Sequence, residues 1–314
     1  MKRALIFPGQ GSQSVGMGKA LHDAFTEARE VFQEVDDALS QKLSLMMFEG
    51  SAEDLKLTEN AQPALMAASM AVVRVLDRQG NFRLPEAASF VAGHSLGEYA
   101  ALCAAGTFTL GDTARLLRLR GQAMQRAVPV GIGAMAALIG VDMKDAADIA
   151  AAAAQGEVCA AANDNAPGQV VISGHVAAVD RAMAIAAERG FKRSLKLPVS
   201  APFHCSLMQP AADAMREALA KVALSAPCVP VVANVTAEAT DEAATIRDLL
   251  VRQVTGSVRW RESVLYMKAQ GVEQLVECGA GTVLAGLAKR IDKELPAVSL
   301  QGPEDIEAFL KTAR

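Results

Sequence analysis

The sequence predicts an α/β protein in which a small ferredoxin-like unit is inserted into a larger α/β unit. A short apolar segment, Arg3–Phe7, ends at Pro8 and leads into a glycine-rich loop and amphipathic helices. Residues 128–198 alternate in the order β-α-β-β-α-β, which is the ferredoxin-like pattern. The alternation then resumes, so residues 1–127 and 199–314 are predicted to form one discontinuous subdomain.

The first part of the larger unit contains two predicted strands and several helices. After the first strand, helical spacing of apolar residues runs to about Leu39 and returns over residues 61–76. The apolar run 89–92 predicts a second strand, followed by a helix that ends at Gly106, where a glycine suits the end of a helix. Asp112 is predicted to cap the next helix, which ends before the breaks near residue 128.

The remaining elements follow the same apolar patterns. Within the insertion we predict strand 134–141, helix 144–154, two strands around a turn at 165–168, helix 176–189 and strand 193–199. After the insertion we predict helices 209–222, 241–253, 258–269 and 282–291 and strands 229–235 and 274–278.

Composition excludes several classes of protein. The 314 residues carry a formal net charge of −4 and are 51% hydrophobic, which is typical of a folded globular chain. There is no basic run of the kind that binds nucleic acid. The longest uncharged stretches, about 16 residues, are too short to span a membrane. Because no secretory signal is present either, the chain is predicted to be cytoplasmic.

The cysteines and histidines predict neither a disulfide framework nor a metal site. The five cysteines are scattered without a C-x-x-C pair, and the four histidines show no metal-ligand spacing. We therefore expect reduced thiols, no bound metal and no resident cofactor.

The clearest motif is GHSLG at residues 93–97, a G-x-S-x-G between a predicted strand and a predicted helix. This is the setting of a nucleophile elbow, a sharp turn that presents the serine hydroxyl and needs glycine on both sides. The N-terminus of the following helix favours negative charge that forms beside Ser95. The alternative is a glycine-flanked helix cap in which Ser95 only accepts an N–H hydrogen bond.

A serine nucleophile needs a base, and His204 is the strongest candidate. It lies in an irregular, proline-containing segment where the insertion ends, and loops at such junctions line clefts. His94 lies inside the elbow and is interpreted as structural, while His22 and His175 are interpreted as surface residues. The alternative for His204 is a hydrogen-bonded interior histidine.

No acidic residue suits the third position of a catalytic triad. In hydrolases with this elbow, the acid lies between the serine and the histidine along the chain. Here nearly every acidic residue in that interval belongs to the insertion. A backbone carbonyl could orient the imidazole instead, which would leave a serine–histidine dyad.

The glycine-rich loop after the first strand matches neither nucleotide-binding fingerprint. The third dinucleotide-fold glycine is replaced by Ser14, and Gln13 stands where a P-loop needs its first glycine. The backbone N–H groups of this loop would suit an oxyanion hole together with the N–H of Leu96. The alternative is a tight turn that only connects two elements.

Arg118 and Arg120 lie on one predicted helix. On a helix they point about 200° apart, so at most one of them faces a given cleft. Such arginines usually form a solvated surface, whereas a buried one would bind a carboxylate through two hydrogen bonds.

Together these segments resemble the malonyl-CoA:acyl carrier protein transacylases, which belong to the acyltransferase family of fatty acid and polyketide synthesis. The resemblance runs from Arg3 to about Ile291 and implies an α/β-hydrolase-like large subdomain with an inserted ferredoxin-like small subdomain and the active site between them. It is carried by FPGQGSQ at 7–13, QPAL at 62–65, GHSLGEY at 93–99, RG at 120–121, NAPGQ at 165–169, FH at 203–204 and GAG at 279–281.

The resemblance also implies catalytic roles. Ser95 is the nucleophile and His204 is the general base and acid. The N–H groups of Gln10 and Leu96 form the oxyanion hole, and the backbone carbonyl of Gln253 orients His204.

The resemblance further assigns three residues to the substrate. Arg120 binds the malonyl carboxylate, and Gln62 and Phe203 also contact the substrate. In related polyketide acyltransferase domains, a phenylalanine before the histidine goes with malonyl rather than methyl-branched units, because the ring fills the space of an α-methyl group. In discrete transacylases this position is often small, so Phe203 is a departure.

The implied reaction moves malonyl from malonyl-CoA to the phosphopantetheine thiol of acyl carrier protein through an O-malonyl-serine, in ping-pong order. The expected partners are malonyl-CoA and acyl carrier protein, and we expect a monomer. An acidic carrier protein would dock on local positive charge, for which the candidates are Lys192, Arg193, Lys196, Lys289 and Arg290.

Two other functions stay open from the residues alone. A serine esterase or thioesterase shares the elbow and the base, but it would need an acid and would release free malonate. A non-catalytic binding module would form no covalent adduct at Ser95.

Overall fold

The structure, a computed structural model, describes residues 1–199 and 201–312, so Ser200 and the last two residues of the predicted range 199–314 lie outside it. Within the described residues, the strands in chain order are β1 (Arg3–Phe7), β2 (Phe90–Gly93), β3 (Gly133–Ile139), β4 (Cys159–Ala166), β5 (Gln169–His175), β6 (Arg193–Lys196), β7 (Val231–Val232), β8 (Ala239–Thr240), β9 (Gln274–Cys278) and β10 (Ala297–Leu300). They form two sheets, with the strand orders β10-β9-β1-β2-β7-β8 and β4-β5-β3-β6.

The helices surround both sheets. In the same part of the chain they are α1 (Lys19–Ala24), α2 (Thr26–Leu39), α3 (Leu43–Glu49), α4 (Ala52–Lys56), α5 (Thr58–Gly80), α6 (Leu84–Ala87), α7 (Gly97–Ala104), α8 (Leu110–Ala127), α9 (Met143–Ala154), α10 (Val176–Glu188), α11 (Gln209–Lys221), α12 (Ala243–Thr255), α13 (Trp260–Ala269), α14 (Val283–Ile291) and α15 (Pro303–Thr312). None of these helices has both the length and the apolar character needed to cross a lipid bilayer.

The larger sheet is parallel except for β8, which pairs antiparallel with β7 at one edge. Its inner strand β1 is buried on both faces. Leu5 and Phe7 pack into the core on one face, and Ala4 and Ile6 pack with Trp260 on the other. A continuous apolar strand is typical of a parallel sheet covered on both sides, so the burial follows the sequence pattern.

The register of this sheet brings three connections to one edge. Phe7 at the end of β1 is aligned with Gly93 at the end of β2, so the glycine-rich loop and the serine turn leave the sheet together. Strand β7 runs parallel to β2 on its other side and ends at the same edge. In parallel α/β sheets, ligands bind outside the carboxyl ends of the strands.

The second sheet is the predicted ferredoxin-like insertion. Its pairing is antiparallel throughout, in the strand order expected for β-α-β-β-α-β. Leu138 and Ile172 pack with helices α9 and α10 on one face, while Met135 and Val171 on the other face join the main core. The predicted fold class is confirmed, and the boundaries at 127/128 and 198/199 stay a prediction.

Strand β4 fastens the insertion to the larger subdomain. The Asp164 N–H donates to Val258 O at 2.9 Å, and the Val258 N–H donates to Ala162 O at 2.8 Å. The buried Asp164 carboxylate also pairs with Arg261 of α13 at 2.9 Å. The register of β4 shifts twice in this stretch, and such bulges re-aim side chains next to functional sites. The insertion is thereby held over the carboxyl edge of the larger sheet.

Some predicted elements were wrong in detail. Helix α8 is capped by Thr109, whose hydroxyl accepts the Asp112 N–H, so Asp112 lies in the first turn and is not the cap. The strand predicted over 229–235 is only β7, because the Ala237 N–H donates to Ala233 O and closes a turn. Strand β10 and helix α15 lie beyond the last predicted element.

Candidate active site

Ser95 lies on a tight turn between β2 and α7. Its φ of +53° is in the left-handed region, which costs a residue with a side chain about 1 kcal/mol or more. The flanking glycines are required by close approach. A Cβ on Gly93 would lie 1.9 Å from the carbonyl carbon of Gly97, and a Cβ on Gly97 would lie 2.2 Å from Phe7 O. The turn thus has the tightness that the glycine spacing predicts.

His204 lies within hydrogen-bonding distance of Ser95. Its Nε2 is 2.7 Å from Ser95 Oγ, and its Nδ1 is 2.9 Å from Gln253 O and 3.1 Å from Gly256 O. Because a carbonyl oxygen only accepts hydrogen bonds, the proton of the neutral ring lies on Nδ1. Nε2 is therefore the acceptor for the Ser95 hydroxyl proton.

The environment keeps this imidazole neutral. Burial, with the neighbouring Arg120 charge as the second cause, lowers the pKa of His204 to about 3. A neutral imidazole is the form that can accept a proton. Its Nδ1 is oriented by two backbone carbonyls, of Gln253 and Gly256, rather than by a carboxylate.

Arg120 is buried on α8 with its guanidinium next to the serine. Nη1 donates to Gln62 Oε1 at 2.8 Å, and Nη2 donates to Gln253 Oε1 at 2.8 Å and to Ser95 Oγ at 3.1 Å. Its buried Nε has no hydrogen-bond partner among the described residues. Within the described part of the chain, none of the groups that Arg120 contacts through hydrogen bonds is a carboxylate. Since an uncompensated buried charge is costly, the site is suited to an anionic ligand group.

Arg118 faces elsewhere, as the helical geometry predicts for one of the two arginines. Its guanidinium donates to Asn60 Oδ1 at 2.7 Å and to Gln41 Oε1. The sequence pattern could limit the cleft to one arginine but could not choose between them.

Gln10 and Leu96 are the two residues predicted to form an oxyanion hole with their backbone N–H groups. Both residues line the pocket, and neither N–H donates a hydrogen bond within residues 1–199 and 201–312. The Gln10 side chain accepts a hydrogen bond from the Thr58 hydroxyl at 2.7 Å, which fixes the loop after β1. Two N–H groups on one side of a nucleophile can hold a negatively charged oxygen.

The pocket above Ser95 lies between the two sheets and has a volume of about 410 Å³. We call the residues from the larger subdomain at its base the floor: Gln10, Gln62, Ser95, Leu96, Arg120 and His204. We call the residues from the insertion and the segment that leaves it the wall: Met135, Asn163, Asn165, Val171, Leu197 and Phe203.

His94 and His22 lie where the sequence interpretation put them, whereas His175 is half-buried and is not a surface residue. The half-buried His94 makes a 2.7 Å Nε2 contact with Asn165 Oδ1 and packs against Trp260, so it joins the elbow to the insertion. His22 is on the surface beside Asp23. His175 accepts the Val158 N–H at 2.9 Å.

The candidate docking residues fall in two places. Lys192 and Arg193 are exposed at the start of the edge strand β6, while Lys196 pairs with Asp180 at 2.7 Å. Arg290, at the end of α14 next to Lys289, donates to Gln169 at the hairpin of the insertion. The first place is closer along the chain to the pocket, which Leu197 lines.

Sequence reasoning missed two residues directly beneath the serine. Asn234 accepts the Ser95 N–H at 2.8 Å, and Glu98 accepts the Asn234 N–H at 2.8 Å. Burial raises the pKa of Glu98 to about 7. The available signals were an acidic residue three positions after the serine on an apolar helix and an asparagine directly after a buried apolar strand.

Comparison with known proteins gives consistent results. The model of a family described as acyl transferase domain matches residues 4–300. The malonyl CoA-acyl carrier protein transacylase of Escherichia coli K12 is 48% identical over 308 residues, which is 98% of each chain. The crystal structure of acyl-carrier-protein-S-malonyltransferase from Bartonella henselae is 56% identical, with a TM-score of 0.97 over 100% of this chain and 99% of that one. A malonyl-transacylase in complex with a holo type II PKS acyl-carrier protein is 43% identical, with a TM-score of 0.96 over 99% of this chain and 100% of that one.

Proposed function

The chain belongs to the acyl transferase domain family, and we propose that Ser95 carries a malonyl group from malonyl-CoA to acyl carrier protein. The protein is an acyl carrier protein S-malonyltransferase. The observation that carries the proposed mechanism is the 2.7 Å contact between Ser95 Oγ and His204 Nε2 beside a buried guanidinium.

In the first half-reaction, Ser95 Oγ attacks the thioester carbonyl of malonyl-CoA while His204 Nε2 takes the hydroxyl proton. The N–H groups of Gln10 and Leu96 stabilise the oxygen of the tetrahedral intermediate. The carbon–sulfur bond then breaks, and the imidazolium returns its proton to the sulfur of coenzyme A. The product is an O-malonyl ester on Ser95.

In the second half-reaction, the phosphopantetheine thiol of the carrier protein attacks this ester. His204 takes the thiol proton, and the same two N–H groups hold the oxyanion. When the carbon–oxygen bond breaks, the proton passes from His204 to Ser95 Oγ. Serine and neutral imidazole are restored, so no resident cofactor is needed.

Arg120 is the residue that selects an acyl group with a carboxylate. A malonyl carboxylate compensates the charge of the buried guanidinium and can accept two hydrogen bonds from it. An acetyl group leaves that charge unpaired. Leaving a buried charged group without its partner costs about 1–3 kcal/mol or more, which is enough for strong selection. Phe203 borders the pocket, and its ring is proposed to exclude an α-methyl group.

The carrier protein is proposed to dock at the start of β6. Arg193 lies four residues before Leu197, a distance of about 13 Å along an extended chain, so a basic edge leads to the pocket. If reversing the charge of both Lys192 and Arg193 leaves transfer to carrier protein unchanged at low salt, this docking surface is wrong.

The proposed function is tested by mass spectrometry of the intact protein after brief mixing with malonyl-CoA. We expect one malonyl adduct on the native chain, none on Ser95→Ala, and its disappearance when holo carrier protein is added. An unmodified native chain would indicate a binding module, and release of free malonate as fast as transfer would indicate a thioesterase.

A further inference from the structure

Three buried polar side chains form a network beneath the serine turn that the reaction above does not use. They are Glu98 on α7, Asn234 after β7 and Gln253 on α12, with exposed fractions of 1%, 0% and 0%. Only the backbone carbonyl of Gln253 has a role in the mechanism so far. We call these three side chains the elbow clamp.

The Asn234 carboxamide spans the turn. Its Oδ1 accepts the Ser95 N–H at 2.8 Å, and its Nδ2 donates to Gly93 O at 2.7 Å. Both contacts lie on the N-terminal side of the left-handed Ser95, one before and one after His94. A strained backbone persists only where its surroundings determine it, and Asn234 supplies that constraint on the N-terminal side of Ser95.

The Gln253 side chain fixes the next peptide unit. Its Nε2 donates to Ser95 O at 3.0 Å. Ser95 O and the N–H of Leu96 belong to the same planar trans peptide, so the direction of one sets the direction of the other. Holding Ser95 O therefore aims the Leu96 N–H, which is one of the two oxyanion donors. The Oε1 of Gln253 accepts from Arg120 at 2.8 Å and links this peptide to the guanidinium.

The Glu98 carboxylate holds the other two clamp residues in place through hydrogen bonds. One oxygen, Oε2, accepts both the Asn234 N–H at 2.8 Å and the Gln253 Nε2 at 3.1 Å. A buried polar network whose members satisfy one another is rigid. Without this carboxylate, the Asn234 N–H and Gln253 Nε2 would each lose a buried acceptor.

We infer that Glu98, Asn234 and Gln253 are positioning residues that aim the Leu96 N–H at the oxyanion of the transition state. The inference rests on the proposed function, because it assigns the clamp to the acylation of Ser95. An interaction that forms fully only in the transition state raises the rate of acylation without tightening substrate binding. The clamp therefore acts on the rate constant and leaves the affinity for malonyl-CoA unchanged.

The test is single-turnover acylation of Ser95 by malonyl-CoA, with the rate constant and the half-saturating concentration measured separately. Glu98→Ala and Asn234→Ala are expected to lower the rate constant about tenfold or more and to leave half-saturation within about twofold. Glu98→Gln keeps an oxygen that can accept both hydrogen bonds, and it is expected to retain the rate within about threefold. Asn234→Asp changes one atom, keeps the acceptor for Ser95 and loses the donor to Gly93, so it tests the clamp even if the alanine variants fail to fold.

Glu277→Ala is the matched control, because Glu277 is an equally buried carboxylate that accepts the N–H groups of Leu284 and Ala285 away from the serine. It should lose stability and keep the acylation rate. The inference is overturned if the clamp variants lose no more rate than Glu277→Ala, or if they lose affinity instead. It is also overturned if Glu98→Gln is as slow as Glu98→Ala. If the native chain itself is not acylated, the proposed function fails, which is a different result.

Discussion

The floor and the wall of the pocket face the same space but differ in chemistry. On the floor, Ser95 is hydrogen-bonded to His204 at 2.7 Å and to Arg120 at 3.1 Å, and Arg120 carries a positive charge. On the wall, Met135 and Val171 present apolar side chains from the sheet of the insertion. In the proposed mechanism, bond making and carboxylate selection therefore belong to the larger subdomain, and the insertion sets the shape available to the acyl group.

The two regions also differ in backbone strain. Ser95 and His204 have φ values of +53° and +57°, both in the left-handed region. The strands of the wall have extended backbone, with irregular register in β4. Strain at both reacting residues is typical of a site whose geometry is enforced by the rest of the fold.

The largest expected difference in acylation rate is between a variant of His204 on the floor and a variant of His175 elsewhere in the insertion. His204→Ala removes the base on the floor and is expected to slow acylation of Ser95 about 10²- to 10⁴-fold. His175→Ala removes a half-buried histidine of the insertion that accepts the Val158 N–H, and it should change the acylation rate less than about twofold. Rapid-quench acylation of both variants by malonyl-CoA measures the contrast. Equal losses would show that stability, and not proton transfer, explains the effect.

The next effect concerns the carboxylate. Arg120→Ala is expected to lower the preference for malonyl over acetyl about 100-fold, because the buried guanidinium that an acetyl group leaves unpaired is gone. Acetyl transfer should survive or improve. Arg118→Ala, two residues earlier on the same helix, should keep the preference of the native chain. The ratio of kcat/KM for malonyl-CoA and acetyl-CoA is the measurement, and an unchanged ratio in Arg120→Ala would remove this residue from substrate selection.

A smaller effect is expected from the wall. Phe203→Ala opens space beside the acyl group and should raise acceptance of methylmalonyl-CoA relative to malonyl-CoA about tenfold. The rate with malonyl-CoA should change little, since the reacting groups on the floor are untouched. Competition between the two thioesters, followed by mass spectrometry of the acyl-enzyme, gives the ratio. A variant that loses malonyl transfer without gaining methylmalonyl transfer would show that Phe203 supports the reaction itself and does not limit the size of the acyl group.

The smallest expected effect concerns pH: the acylation of Ser95 should not lose rate as the pH falls through the usual titration range of histidine. His204 has a pKa of about 3, below its ordinary value, so it stays a neutral base as the pH falls through the usual range of histidine. Burial raises the pKa of Glu98, beside the site, to about 7, so this carboxyl group titrates near neutrality. In Glu98→Gln, kcat/KM for acylation should therefore be flat between about pH 5 and pH 8. A tenfold loss per pH unit below about 6.5 would show that His204 titrates normally.

Much of this architecture could be predicted from the sequence, because local patterns determine it. The apolar run Arg3–Phe7 and the glycines of GHSLG specify a strand and a tight turn through backbone sterics alone. The partnership of Ser95 with His204 was inferred from the position of a proline-containing segment and a resemblance. The contact itself depends on how the insertion returns to the larger sheet, which no local pattern encodes.

The clamp residues could not be predicted for a similar reason. Asn234 follows a two-residue strand whose predicted extent was too long, and its role depends on β7 lying beside β2. Gln253 was assigned only a backbone role, yet its side chain contacts Ser95 and Arg120. Burial of Glu98 is visible as an acidic residue in an apolar helix, but its partners come from distant elements of the chain.

The most direct test of the division between floor and wall is a crystal structure of the native chain soaked with malonyl-CoA in the absence of carrier protein. We predict an O-malonyl ester on Ser95 whose carboxylate accepts hydrogen bonds from the Arg120 guanidinium and whose carbonyl oxygen faces the N–H groups of Gln10 and Leu96. A carboxylate bound instead by wall residues or directed to solvent, with Arg120 hydrogen-bonded only to groups of the protein, would contradict the account.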